Sequence, residues 1–174
     1  MNNKEKQSSD KQITAKALTL YDKDFAEINE GEETIELLIF RLSNEWYAVE
    51  LGAIKEIVRM SNITYLPLSP THIAGIINLR GRILSVTDLK KLFDLAQEEI
   101  TEETRLIVVE HGNMETGLMA DEVTSVTKVL KRKVDPPINT ISSNIKEYIK
   151  GEIKIGSKFI VQLNTDLILK KEKN

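Results

Sequence analysis

The chain has 174 residues, 41% of them apolar, which is enough for one domain or two small ones with a sizeable core. Its 24 Lys and Arg against 27 Asp and Glu give a formal charge of −3, a balance that supplies no overall field for a polyphosphate and disfavours nucleic acid as a partner. There is no cysteine, and His72 and His111 stand far apart in sequence, so thiol, disulfide and transition-metal chemistry drop out and neither cofactor nor metal is expected. The first ten residues lack the apolar run of a signal peptide, and no stretch approaches the ~20 apolar residues that span a bilayer; a cytosolic protein without membrane insertion is the expectation.

Charge divides the chain. Residues 1–36 hold 5 lysines and 9 acids, net −4, whereas residues 37–174 hold 19 bases and 18 acids, net +1. Within the acidic leader, assigned to 1–34, Ile13, Ala17, Leu20, Tyr21, Phe25 and Ile28 recur at three-to-four spacing before Glu30-Gly31-Glu32-Glu33. This reads either as an amphipathic helix or as a solvated, disordered extension. From Thr34 onward the pattern changes to short apolar runs rich in Ile, Val, Leu and Tyr, which is strand patterning. Strands over 36–42 and 46–51 flank Ser43-Asn44-Glu45, and strands over 73–79 and 82–86 flank Arg80-Gly81. Strands over 105–110 and 114–120 flank His111-Gly112-Asn113, and strands over 149–155 and 158–163 flank Gly156-Ser157, a pair suited to a tight turn. Between the hairpins of each half lie a further strand, over 53–59 and 120–131, and a proline-containing linker, the second stiffened by Asp135-Pro136-Pro137.

The order of these hairpins predicts an internal repeat. Gly75-Ile76-Ile77-Asn78-Leu79, Ile83-Leu84 and Asp88-Leu89 are echoed by Gly151-Glu152-Ile153-Lys154-Ile155, Phe159-Ile160 and Asp166-Leu167. Thr87-Asp88 and Asn164-Thr165-Asp166 place side chains able to cap orphan amides at two short helix starts. Residues 97–103 form an acidic joint. About five short strands per half, closed to remove open edges, predict two small β-barrels side by side, over about 35–95 and 104–165, with a short tail at 171–174.

The run from His72 to Leu89 contains Gly75-Ile76-Ile77-Asn78-Leu79-Arg80-Gly81 and ends in Asp88-Leu89. It resembles the signature of the CheW family of bacterial chemotaxis coupling proteins, whose central hairpin carries Gly-x-x-Asn-Leu-Arg-Gly. The resemblance extends through Leu38-Ile39-Phe40-Arg41-Leu42, Trp46-Tyr47-Ala48-Val49-Glu50-Leu51, Ile54-Lys55-Glu56-Ile57, Leu66-Pro67 and 117–123 to Asp166-Leu167, covering 35 to about 170. It implies an all-β fold with short helices: two SH3-like five-stranded β-barrels around a shared apolar seam. It also implies a non-enzymatic adaptor that joins the cytoplasmic tip of a chemoreceptor, a methyl-accepting chemotaxis protein, to the regulatory domain of the histidine autokinase CheA. Such an adaptor is expected to be monomeric in isolation and part of a receptor array in the cell. The receptor groove carries over onto Ile54, Glu56, Gly75 and Arg80, with Val123 and Val126 from the second barrel. The kinase contacts do not carry over, and no catalytic residue is implied. An adaptor of a type IV pilus or phototaxis pathway would share this scaffold.

Arg80 falls at a hairpin tip beside glycine, where its five-donor fork can reach a carboxylate. Glu56 is its obvious internal partner, so a Glu56–Arg80 ion pair is expected, orienting Arg80 more than stabilising the fold. Ile54 reads as a core residue or as one offered to a receptor helix, and Gly75 as a groove residue or as one that permits close strand approach. The basic stretch Lys128, Lys131, Arg132 and Lys133 would suit a small-barrel RNA-binding protein, but it lacks interleaved aromatics for stacking. The run from Gly151 to Lys158 imitates a phosphate loop, yet both flanks read as strand, and such a loop must open a helix.

Overall fold

The computed structural model describes residues 31–137 and 143–171; the leader's proposed helix lies outside the described residues. Ten strands run in the order β1 (Thr34–Leu42), β2 (Glu45–Glu50), β3 (Ile54–Arg59), β4 (Ile73–Leu79), β5 (Arg82–Thr87), β6 (Arg105–His111), β7 (Met114–Ala120), β8 (Glu122–Leu130), β9 (Ile149–Ile155) and β10 (Lys158–Leu163). Short helices are α1 (Leu89–Leu92), α2 (Ser143–Lys146) and α3 (Thr165–Lys171). The turns are tighter than the sequence suggested. Leu42 pairs with Glu45 and His111 with Met114, which leaves two-residue loops at Ser43-Asn44 and Gly112-Asn113. Asp88 caps α1 by accepting from the Lys91 amide at 3.1 Å, and Asn164 accepts from the Leu167 amide at 3.3 Å at the start of α3.

Two five-stranded sheets form, with orders β8-β1-β2-β10-β9 and β3-β6-β7-β5-β4. This corrects the expected division into barrels over 35–95 and 104–165. The repeat runs along the chain as hairpin, strand, hairpin, helix, twice over, but the leading hairpins are exchanged. β1-β2 completes the sheet of β8, β9 and β10, while β6-β7 completes that of β3, β4 and β5. The linkers impose this. A single residue, Asp121, separates β7 from β8, fewer than the two a hairpin reversal needs, so the chain crosses to the other sheet. Between β2 and β3 a 3-10 turn at Leu51–Ala53 makes the corresponding crossing. Asp121 is held on all sides: its amide donates to the Arg41 carbonyl at 3.0 Å, and its carboxylate accepts from the Ser43 amide and from the buried Lys90 Nζ, each at 2.6 Å.

Each sheet is closed by the segment that leaves its own edge strand. After β3, Thr64 bridges Ile76 of β4, and after β8, Asp135 bridges Glu152 of β9. Glycines make room for both closures. A Cβ on Gly75 would lie 2.6 Å from Ile63 Cγ2, and one on Gly151 would lie 2.7 Å from the Asp135 carbonyl oxygen. Gly151 therefore sits within a strand rather than at the mouth of a phosphate loop.

The continuous apolar runs of β1 and β6 follow from burial on both faces. Leu37 and Ile39 join Ala48, Val129, Ile153 and Ile160 inside one barrel, and Leu106 and Val108 join Ile77, Leu84 and Val86 inside the other. The alternate residues, Leu38, Phe40 and Leu42 on β1 and Ile107 and Val109 on β6, meet in a seam shared with Leu89, Phe93, Tyr148 and Ile168. Stacked or tilted rings of Phe40, Tyr47, Phe93 and Tyr148 run through this seam with centroids 5.8 to 6.3 Å apart.

Candidate docking face

Of the six residues singled out from the sequence, two meet in an ion pair, three pack against the seam and one serves a barrel closure. Glu56 on β3 and Arg80 at the β4–β5 tip come together: Arg80 Nη1 lies 3.0 Å from Glu56 Oε2, so the expected ion pair is present. The pair is uneven, with the Arg80 side chain 73% exposed and that of Glu56 20%. The tip is a two-residue turn in which Arg80 (φ 54°) and Gly81 (φ 86°) are both left-handed, the type I′ signature. Asn78 accepts from the Gly81 amide at 2.8 Å and fixes the loop from below. Ile54, Val123 and Val126 are partly buried against the seam. A bulge in the β3–β6 register between Ile54 and Glu56 turns Ile54 toward the seam, opposite Val109. Gly75 is consumed by barrel closure, and with φ 145° it contributes backbone geometry rather than a side chain to this face.

Four charged residues that the sequence reading did not select extend the pair into a ladder. Arg82 reaches Glu56 Oε1 at 3.1 Å and both oxygens of Glu115 at 2.7 and 2.8 Å. Lys55 then joins Glu115 at 3.3 Å and Glu110 at 2.8 Å, and these two carboxylates, Glu110 first, hold its ammonium above the ordinary lysine range. One signal in the sequence could have found it. Glu110 and Glu115 sit directly opposite each other across the β6–β7 hairpin, and like charges so placed are destabilising unless a cation bridges them.

The corresponding place on the other barrel carries different chemistry. By register, β10 and β2 match β5 and β7, so Lys158 and Trp46 stand where Arg82 and Glu115 stand. There Lys158 Nζ lies 3.7 Å above the Trp46 ring, a cation–π contact in place of an ion pair. The basic stretch weighed for RNA is partly neutralised: Lys131 pairs with Glu33 and Arg132 with Glu32, each at 3.0 Å. Among the described residues, no group of three or more His, Asp or Glu could hold a metal ion, and no helix is long and apolar enough to cross a membrane.

Fold and face together define a duplicated small-barrel protein that carries an ordered ladder of ion pairs on one barrel. A family model for the CheW-like domain matches residues 36–173. The chain is 29% identical to the chemotaxis protein CheW of Bacillus subtilis over 147 residues, 84% of this chain and 92% of that protein. It is 29% identical to the CheW of Helicobacter pylori, over 82% of this chain and 86% of the relative. The crystal structure of the scaffolding protein TtCheW from Thermoanaerobacter tengcongensis superposes with a TM-score of 0.70 at 30% identity, covering 79% of this chain and 89% of that one. The chain belongs to the CheW family, a family of non-catalytic chemotaxis scaffolds.

Proposed function

We propose that this protein couples a chemoreceptor to a CheA-type histidine kinase in the cytoplasm, performing no chemistry itself. In this reading the receptor's cytoplasmic tip docks on the face built from Ile54, Glu56 and Arg80, with Val123 and Val126 at the seam margin and Gly75 shaping the barrel beneath. The observation that carries it is the Glu56–Arg80 pair. An arginine held by a less exposed carboxylate at a rigid left-handed tip keeps most of its donors for an incoming carboxylate. The kinase regulatory domain engages the chain elsewhere.

The test is binding of a receptor-tip fragment and of the kinase regulatory domain to the purified chain and to Arg80→Glu. The substitution is expected to weaken receptor binding at least tenfold, because it sets a second negative charge beside Glu56, and to leave kinase binding and the circular dichroism spectrum unchanged. Unaltered receptor affinity would remove Arg80 from the docking face. Retention of receptor and kinase from the organism's own lysate, identified by mass spectrometry, would tell a swimming pathway from a pilus or phototaxis pathway.

A further inference from the structure

The Glu56–Arg80 pair is the outer end of an alternating series: Arg80, Glu56, Arg82, Glu115, Lys55, Glu110. Three cations face three carboxylates, so the series is neutral overall and ends in its most exposed member, Arg80. Glu56 divides its two oxygens between two arginines, Oε2 to Arg80 at 3.0 Å and Oε1 to Arg82 at 3.1 Å. Arg82 is fixed in turn by Glu115, whose two oxygens both lie within 2.8 Å of Nη1. Arg82 belongs to β5 and Glu115 to β7, which pair in parallel through Ser85 and Thr116, so both anchors rise from ladder-bonded strands rather than from the tip itself.

We propose that Arg82 and Glu115 are positioning residues for Arg80: Glu115 orients Arg82, Arg82 orients Glu56, and Glu56 aims the Arg80 guanidinium at a carboxylate of the docking partner. The proposal rests on the docking reading above and adds the residues that make it work. If Arg80 were the sole cation on Glu56, a partner carboxylate that drew Arg80 away would leave Glu56 unneutralised beside a second anion. With Oε1 kept on Arg82, Arg80 can be shared with the partner while Glu56 stays neutralised and in place. Neither Arg82 nor Glu115 needs to touch the partner.

Affinity for a soluble chemoreceptor cytoplasmic-tip fragment, measured for Arg82→Gln and Glu115→Gln in the wild-type and in the Arg80→Ala backgrounds, tests this. In the wild-type background each substitution is expected to raise Kd about two- to fivefold, the range of a single exposed ion pair, with an unchanged thermal midpoint. In the Arg80→Ala background neither is expected to add a further loss, because a positioning residue has nothing left to position. Equal losses in both backgrounds would mean that the two residues act on the partner by themselves, and no loss in either would mean that Arg80 needs no support; each result overturns the proposal while leaving the docking reading standing. An Arg80→Ala protein that binds as tightly as wild type would instead bring down the docking reading, and the proposal with it.

Discussion

His72 is buried just ahead of β4, and its Nε2 has no hydrogen-bond partner among the described residues. Burial, and then the positive charge of Lys171, lower its pKa from the ordinary 6.5. In the window between the lowered value and 6.5 the unfolded chain therefore binds more protons than the folded one. The stability associated with a neutral His72 is full above 6.5 and is lost as the pH falls through that window. His72→Phe removes the titration, so the urea midpoint of the variant is expected to fall less than that of wild type between pH 8 and pH 5.5. Parallel declines would show that His72 does not couple to folding. From the sequence, both histidines read as loop or strand-end residues. What could not be read was which of them is enclosed: His111, at the end of β6, is exposed and pairs with Asp166 at 2.8 Å, a contact between residues 55 positions apart. The Glu56–Arg80 pair was legible because a turn-borne arginine and a strand-borne glutamate each advertise their place locally. Arg82 and Glu115 were not, because they meet only through the parallel β5–β7 pairing.

At the scale of elements, the two barrels use one device for closure and stress it differently. Gly75 combines a left-handed φ of 145° with a Cβ position already occupied by Ile63 and Thr64, whereas Gly151 is crowded by Val134 and Asp135 without the left-handed backbone. Gly75→Ala must therefore strain the backbone and displace the closing segment, while Gly151→Ala need only displace it. Gly75→Ala is expected to cost more than ~1 kcal/mol, and more than Gly151→Ala, in chemical denaturation. Faster hydrogen exchange at the Thr64 and Ile76 amides, which pair across this closure at 2.8 and 2.9 Å, should accompany it. A Gly75→Ala protein of undiminished stability that no longer bound receptor would reverse the assignment and make Gly75 a contact residue. The hairpins and helix caps were legible because each is set by a few adjacent residues, Arg80-Gly81 and Asp88 among them. The closures were not, since a glycine inside a strand tells of a close approach without telling what approaches.

At the scale of the whole molecule, the hairpin exchange makes the halves of the sequence inseparable in the fold. Sequence order alone suggested one barrel on each side of the exposed joint at 97–103, because local patterning fixes strands and turns but not which distant hairpins pair. In the folded chain, the strands before and after the joint meet in four ladders: β1 with β8, β2 with β10, β3 with β6 and β5 with β7. The seam adds Phe40 and Leu89 from the first half packed with Ile107 and Ile168 from the second. A protease site inserted between Glu99 and Ile100 should thus be cut without releasing a barrel. The nicked protein is expected to elute as one species in native buffer and to separate into its two fragments only above the denaturant midpoint. Neither fragment alone is expected to show a cooperative transition, since each would expose the edges that the other pairs and half of the shared seam. Two fragments that separated in native buffer and each unfolded cooperatively would mean that the barrels follow the sequence halves after all. Co-elution would show that the shared seam and reciprocal ladders make one folding unit of the two barrels, with the Arg82–Glu115 pair on one sheet and the Lys158–Trp46 contact on the other held by the same set of cross-joint strand pairings.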